Sequence, residues 1–227
     1  MWQTSAVDDS TQQVDRRERL ANTADARIFR TRTKLADALL SELRDDSKAI
    51  SVGSVAARAS VGRSTFYTHF ATLDELVCYA VDLLFDGFGP DDLVSRRSAA
   101  SSTRDGARAG FEDFLDRIEM RGRDLLKSRA PTVRVVVHER FAARFASNLQ
   151  GVLVAEQLAT GREWILAEYV AGGVTRVLVA WATGVGELDR FQAIDYIMDF
   201  MPSQIIEGTI APPAESTSPR EVPNLDD

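Results

Sequence analysis

The sequence predicts an all-α protein, and three observations carry that reading. Apolar residues recur at three- and four-residue spacing over long stretches. No segment alternates apolar and polar residues as a half-buried strand would. Helix start and stop signals fall at the ends of the periodic stretches: Thr72-Leu73-Asp74-Glu75, Gly87-Phe88-Gly89-Pro90 and Pro131. The 227 residues are 44% hydrophobic and 27% charged, ordinary for a folded chain long enough for one large domain or two small ones.

Taken in order, residues 1–22 are polar, carry Arg16, Arg17 and Arg19, and read as a flexible arm. From about Thr23 to Leu43, Ile28, Leu35, Leu39 and Leu43 share one helical face, and Asp45–Lys48 breaks it. Two short helices follow, Ser51–Ala59 and Arg63–Phe70. A longer helix starts at Thr72, where Thr with Glu75 three residues later matches a capping box, and carries Leu76, Val77, Ala80, Leu83 and Leu84 to about Phe88. Asp91–Thr103, rich in Ser and Arg, reads as a polar linker.

Beyond it, Phe111, Phe114, Leu115 and Ile118 mark a helix, and Leu125-Leu126 a short turn. A long helix begins near Pro131 with Val133, Val137, Phe141, Phe145, Leu149 and Val152 on its apolar side. Two more run from Arg162 to Ala182 and from Glu187 to Ile206. The tail from Thr209 holds Pro212, Pro213, Pro219 and Pro223 and reads as disordered. The expected division is an arm (1–22), a head with its connecting helix (23–88), a second helical domain (89–208) and a tail (209–227).

Composition excludes several classes. Met1 to Ser10 lacks the positive-then-apolar order of a secretory signal, and the longest strongly apolar runs, Val133–Val137 and Val177–Ala182, are too short for a bilayer. Cys78 is alone, so no internal disulfide forms. A cytoplasmic protein without a membrane partner is the expectation. With two histidines, His69 and His138, no Ser/His/Asp set can be assembled, and His138 has no Cys, His or acidic residue at metal-ligand spacing. No enzyme activity, no metal and no cofactor are expected.

Net charge is −7, and from Asp25 to Asp86 eight basic residues face nine acidic ones. Charge therefore gives no argument for a nucleic-acid partner; geometry must give it. The informative run is Ile50 to Phe70. Ser51 can cap a first short helix whose inward face is Val55, Ala56 and Ala59, small enough for close helix crossing. Ser60-Val61-Gly62 is a tight turn, with Val61 pointing inward and Gly62 as the next N-cap. In the second helix Phe66 and Phe70 share the core face. The opposite face shows Arg63, Ser64, Thr65, Tyr67, Thr68 and His69, with no acid. Two short helices crossing at a turn, the second polar and acid-free, describe a helix-turn-helix.

The run Ser51 to Leu76, ending Thr65-Phe66-Tyr67-Thr68-His69-Phe70-Ala71-Thr72-Leu73-Asp74-Glu75-Leu76, closely resembles the DNA-binding motif of TetR-family regulators. The resemblance covers about Thr23 to Asp86; beyond that it extends to helix number and length alone. It implies an N-terminal three-helix helix-turn-helix head followed by a C-terminal helical ligand-binding and dimerisation domain. It implies that Arg63, Ser64 and Thr65 face base edges, that Tyr67 and His69 contact phosphates, and that Ser51 and Thr72 serve the DNA backbone. Leu73 stands where the family often has a lysine, which removes one phosphate contact.

In the family the last two long helices form a four-helix bundle with their dimer mates. Arg162–Ala182 and Glu187–Ile206 are the matching candidates, and Ala171-Gly172-Gly173 suggests close approach of another helix. Phe111, Phe114, Phe141, Phe145, Trp164 and Tyr169, with His138, Arg134 and Glu168, are the candidate pocket for an apolar or aromatic effector, His138 standing alternatively as a partner of Glu168 or Arg140. The expected function is a sequence-specific DNA-binding transcriptional regulator, a homodimeric repressor released by a small molecule from double-stranded DNA bearing a near-palindromic operator. The alternative is a helical small-molecule-binding protein or enzyme with a vestigial helix-turn-helix.

Overall fold

The computed structural model describes residues 25–45, 49–156 and 161–206. The expected arm (1–22) and tail (209–227) lie outside them. Among the described residues the chain is helical, without a strand. It separates into two compact units, each built from two stretches: residues up to Asp86 with Asp116–Phe141, and Gly87–Leu115 with residues from Ala142 onward. The first break falls between Asp86 and Gly87, against an expected boundary at 88, and 116–141 groups with the first unit, not with 89–208 as expected. A periodic apolar stripe shows that a helix has a buried face, not which neighbour buries it.

In the first unit, α1 (residues 25–43) buries Leu35, Leu39 and Leu43, while Ile28 stays exposed. It is followed by α2 (Val52–Arg58), α3 (Arg63–His69) and α4 (Leu73–Asp82), the last extended by a 3₁₀ turn, Leu83–Phe85. The left-handed Gly87 (φ 65°) closes this run. The later stretch adds a π-helical turn (Ile118–Gly122), α7 (Arg123–Lys127, at the expected Leu125-Leu126 turn) and the first part of α8 (Pro131–Ala155). Phe85 meets Phe141 edge to face at 5.2 Å. At Gly122 a Cβ would stand 2.7 Å from Leu84 Cδ1, so a larger residue there would require the Leu84 side chain to shift.

In the second unit the expected linker is a helix, α5 (Pro90–Ala99). Pro90 occupies its first turn, Asp91 and Asp92 sit at its positive end, and Arg96 and Arg97 at its negative end. None of its residues is fully buried, so the weak apolar stripe that hides it from a periodicity reading is real. Next come α6 (Thr103–Arg117), the rest of α8, and α9 (Glu163–Thr183). The single last helix expected from Glu187 to Ile206 is two: α10 (Arg190–Phe200) and α11 (Ser203–Ile206), parted at Met201-Pro202 because proline offers no amide to continue the first. Arg108 and Asp195 (2.8 Å) and Arg104 and Asp199 (3.1 Å) join α6 to α10. Phe88, Phe114 and Phe145 stack into the core, ring centres 4.5 and 5.0 Å apart.

Helix α9 is long and apolar enough, by length and composition, to cross a membrane, although its uninterrupted apolar runs are short. Half of that stretch is buried inside the protein. A core helix meets the same description.

Candidate nucleic-acid interface and effector cavity

The α2–turn–α3 segment begins with a reciprocal cap. Ser51 Oγ accepts from the Ser54 amide and Ser54 Oγ accepts from the Ser51 amide, both at 3.1 Å. Serine in place of the usual Glu keeps this helix start uncharged. Val55, Ala56 and Ala59 are buried, as their spacing requires, and α2 packs on α3 across them.

The turn is a Schellman motif. The Val61 amide donates to Ala56 O and the Ser60 amide to Ala57 O, each at 3.0 Å, with Ser60 itself left-handed (φ 53°). Glycine usually takes that position. Val61, expected to point inward, is only half-buried. The motif fixes the path of the chain through its own backbone bonds, so a fully buried anchor is not required.

Helix α3 then separates two faces. Phe66 and Phe70 are buried, with ring centres 5.9 Å apart. Arg32 of α1 lies 4.7 Å over Phe70 and 4.4 Å over Tyr79, a cation held between two rings. Opposite them, Arg63, Ser64, Tyr67 and Thr68 are exposed, and Thr65 and His69 are half-exposed. Tyr67 leaves 58% of its surface to solvent. Thr68 donates its hydroxyl to Ser64 O at 3.0 Å, so part of this polar face is bonded to its own helix. The Arg63 guanidinium lies over Gly53, filling the place a Cβ would take. An α-helix is about 10–12 Å across with its side chains, and the ~12 Å width of a B-form major groove admits one.

Thr72 caps α4, accepting from the Glu75 amide at 3.1 Å. The expected return bond is shifted by one residue, Glu75 Oε2 accepting from the Ala71 amide at 2.7 Å. Ser51 and Thr72 are both exposed. Leu73 is half-buried and shares a hollow with Leu43, Ile50, Pro131 and Val133. Its side chain contributes to the apolar part of that hollow. Arg58 is paired with Glu42 of α1.

The candidate pocket is mostly not where it was expected. A cavity does lie in the second unit, with Phe88, Phe111, Phe145, Val174, Met201 and Ile205 among its walls. Of the expected residues only Phe111 and Phe145 line it. Phe114 is buried in the aromatic stack behind it. Phe141, His138 and Arg134 fall in the first unit, and Arg140 there is bound to Asp82. Trp164 and Tyr169 are exposed, 57% and 77%, and Glu168 beside them is exposed too. Aromatic residues at helical spacing mark a common face but not whether the chain itself covers it. The polar lining residues, Arg97 and Asn148, were not singled out by the sequence; they lie on α5, read as linker, and among the polar positions of α8.

That exposed face is extensive. Tyr169 of α9 shares a groove with Tyr196 and Phe200 of α10, whose rings stack at 6.2 Å, and Trp164 and Ile165 near the start of α9 are exposed as well. Among the described residues no helix lies close against Gly172 or Gly173, for a Cβ at either would meet nothing within 4 Å. Cys78 of α4 is half-buried, since its side of the helix is not fully covered.

Among the described residues no group of three or more His, Cys, Asp or Glu side chains is placed to hold a metal ion. Comparison with protein-family models returns no match, and comparison with curated proteins returns none either.

Proposed function

We propose that this protein is a sequence-specific DNA-binding transcriptional regulator that lays α3 in the major groove and responds to a small molecule held by the second unit. The observation that carries the reading is the division of α3: two buried phenylalanines behind an exposed, acid-free face of Arg63, Ser64, Thr65, Tyr67 and His69. Arg63 and the hydroxyls supply base-edge and phosphate donors, and Tyr67 and His69 supply backbone contacts. The resemblance of Ser51–Leu76 to TetR-family regulators supports the same assignment.

A regulator of this kind reads a near-palindromic site as a homodimer. The apolar face of α9 and α10, with bare Gly172 and Gly173, supports dimerisation through those helices, because contiguous exposed aromatics of this kind mark association surfaces. The effector acts as a repressor's inducer, to the extent that it prefers one state of the protein over the other. A cytoplasmic location follows from this role.

The near balance of basic and acidic residues in the head favours the rival reading, a helical ligand-binding protein without DNA affinity. Fluorescence anisotropy on duplexes from the region flanking the protein's own gene separates the two. Salt-sensitive, sequence-dependent binding that Arg63→Ala and Tyr67→Ala each weaken supports the regulator. Ligand binding with no DNA affinity at low salt supports the rival, and undiminished binding by both variants rejects α3 as the reading face.

A further inference from the structure

The cavity of the second unit offers about 80 Å³ to the centres of water-sized molecules. At ~10–15 Å³ per water on that measure it has room for on the order of five to eight waters, or roughly 150–240 Å³ of liquid. That is the bulk of a medium-length acyl chain or a small fused ring. The walls are mostly aliphatic and aromatic, so ordered water would find few partners there.

Two polar side chains reach the lining. Asn148 is engaged, donating its amide to the Phe88 carbonyl. Arg97 is different. Its side chain is 8% exposed, and its Nε and Nη2 are buried without a hydrogen-bond partner. Glu156 Oε1 stands 3.9 Å from Nε, close enough to feel the charge and too far to accept a hydrogen bond. A guanidinium is always ionised, so its buried donors call for an acceptor. The side chain is also held at its root: a Cβ at Gly106 of α6 would stand 2.7 Å from Arg97 Cα, and the glycine lets the two backbones meet.

We propose that this cavity binds a monocarboxylate with an apolar body. Nε and Nη2 form one edge of the guanidinium, and a carboxylate accepts from both side-on, while Phe88, Phe111, Phe145 and Val174 surround the body. Glu156 competes for the same guanidinium. The inference names the effector class of the second unit and to that extent rests on the function proposed above.

Isothermal titration of the full-length protein without DNA tests it, with octanoate and 2-naphthoate against 1-octanol and 2-naphthol. The two acids separate a linear body from an aromatic one. The expected result is that at least one acid binds tenfold or more tighter than its alcohol. Arg97→Met should lose that preference while still binding the alcohol, which shows that the cavity is intact. Glu156→Gln should tighten the acid and gives a second reading if Arg97→Met fails to fold. Absence of binding by both acids, alcohols that bind as tightly, unchanged acid affinity in Arg97→Met, or weaker acid binding in Glu156→Gln would overturn the proposal. A bound acid that leaves DNA affinity unchanged sinks only the effector role, and carboxylate binding stands.

Discussion

Arg140 of α8 grips Asp82 in the last turn of α4 with two parallel hydrogen bonds, Nε to Oδ1 at 2.8 Å and Nη2 to Oδ2 at 2.5 Å. An acid at that end of a helix opposes the helix dipole, so the guanidinium offsets an unfavourable placement as well as pairing a charge. The two partners are therefore not equivalent. Arg140→Met should cost about 1–2 kcal/mol, because it leaves Asp82 against the helix end, and Asp82→Asn should cost less. Urea unfolding of both single variants and the double variant measures this. Equal costs would remove the dipole from the explanation.

Cys78, one turn earlier on α4, couples to the same pair. Partial burial pushes its thiol above the usual range, Arg140 pulls it back down, and Asp82, Asp74 and Glu75 push it further up. Folding thus favours the neutral thiol, and any stability it contributes is present below the ordinary thiol range and lost as pH rises through the raised value. Iodoacetamide labelling at pH 8 should be slower in the folded protein than in urea, and slower still in Arg140→Met. A folded rate equal to the unfolded one would contradict the burial argument.

Ser60 takes the left-handed position of the turn between α2 and α3. A side chain there costs roughly 1–2 kcal/mol in strain, and glycine relieves it at some cost in unfolded-state entropy. Ser60→Gly should stabilise the protein by about 0.5–1 kcal/mol, seen as a raised thermal midpoint with DNA affinity retained. A lowered midpoint would show that the serine side chain stabilises the turn.

Phe66 and Tyr67 are neighbours with opposite surroundings, one without exposed surface and one mostly in solvent. Phe66→Ala should cost about 3–5 kcal/mol in stability. Tyr67→Ala should stay within about 0.5 kcal/mol of the parent while weakening DNA binding. Denaturation midpoints alongside anisotropy separate the two effects. A large stability loss in Tyr67→Ala would mean that its ring belongs to the core.

Much of the first unit could be read in the sequence because its signals are local. Caps at Ser51 and Thr72, the i, i+4 pair Phe66 and Phe70, and the turn at Ser60–Gly62 each depend on residues within a few positions of one another. The cavity was poorly legible. Its lining gathers Phe88, Arg97, Phe111, Phe145, Val174 and Ile205 from across the second unit, and no short-range pattern records which side chains meet.

By itself, the sequence determined an all-helical chain, most helix limits up to α4, and which side of α3 is apolar, since helical periodicity and capping are short-range properties of the chain. Packing between distant segments settled that 116–141 belongs with the first unit, that Asp91–Ala99 is helix, that Trp164 and Tyr169 are exposed, and that two donors of Arg97 are buried without a hydrogen-bond partner beside an apolar cavity. Those outcomes depend on which faces bury one another, and burial is settled between segments far apart in the chain.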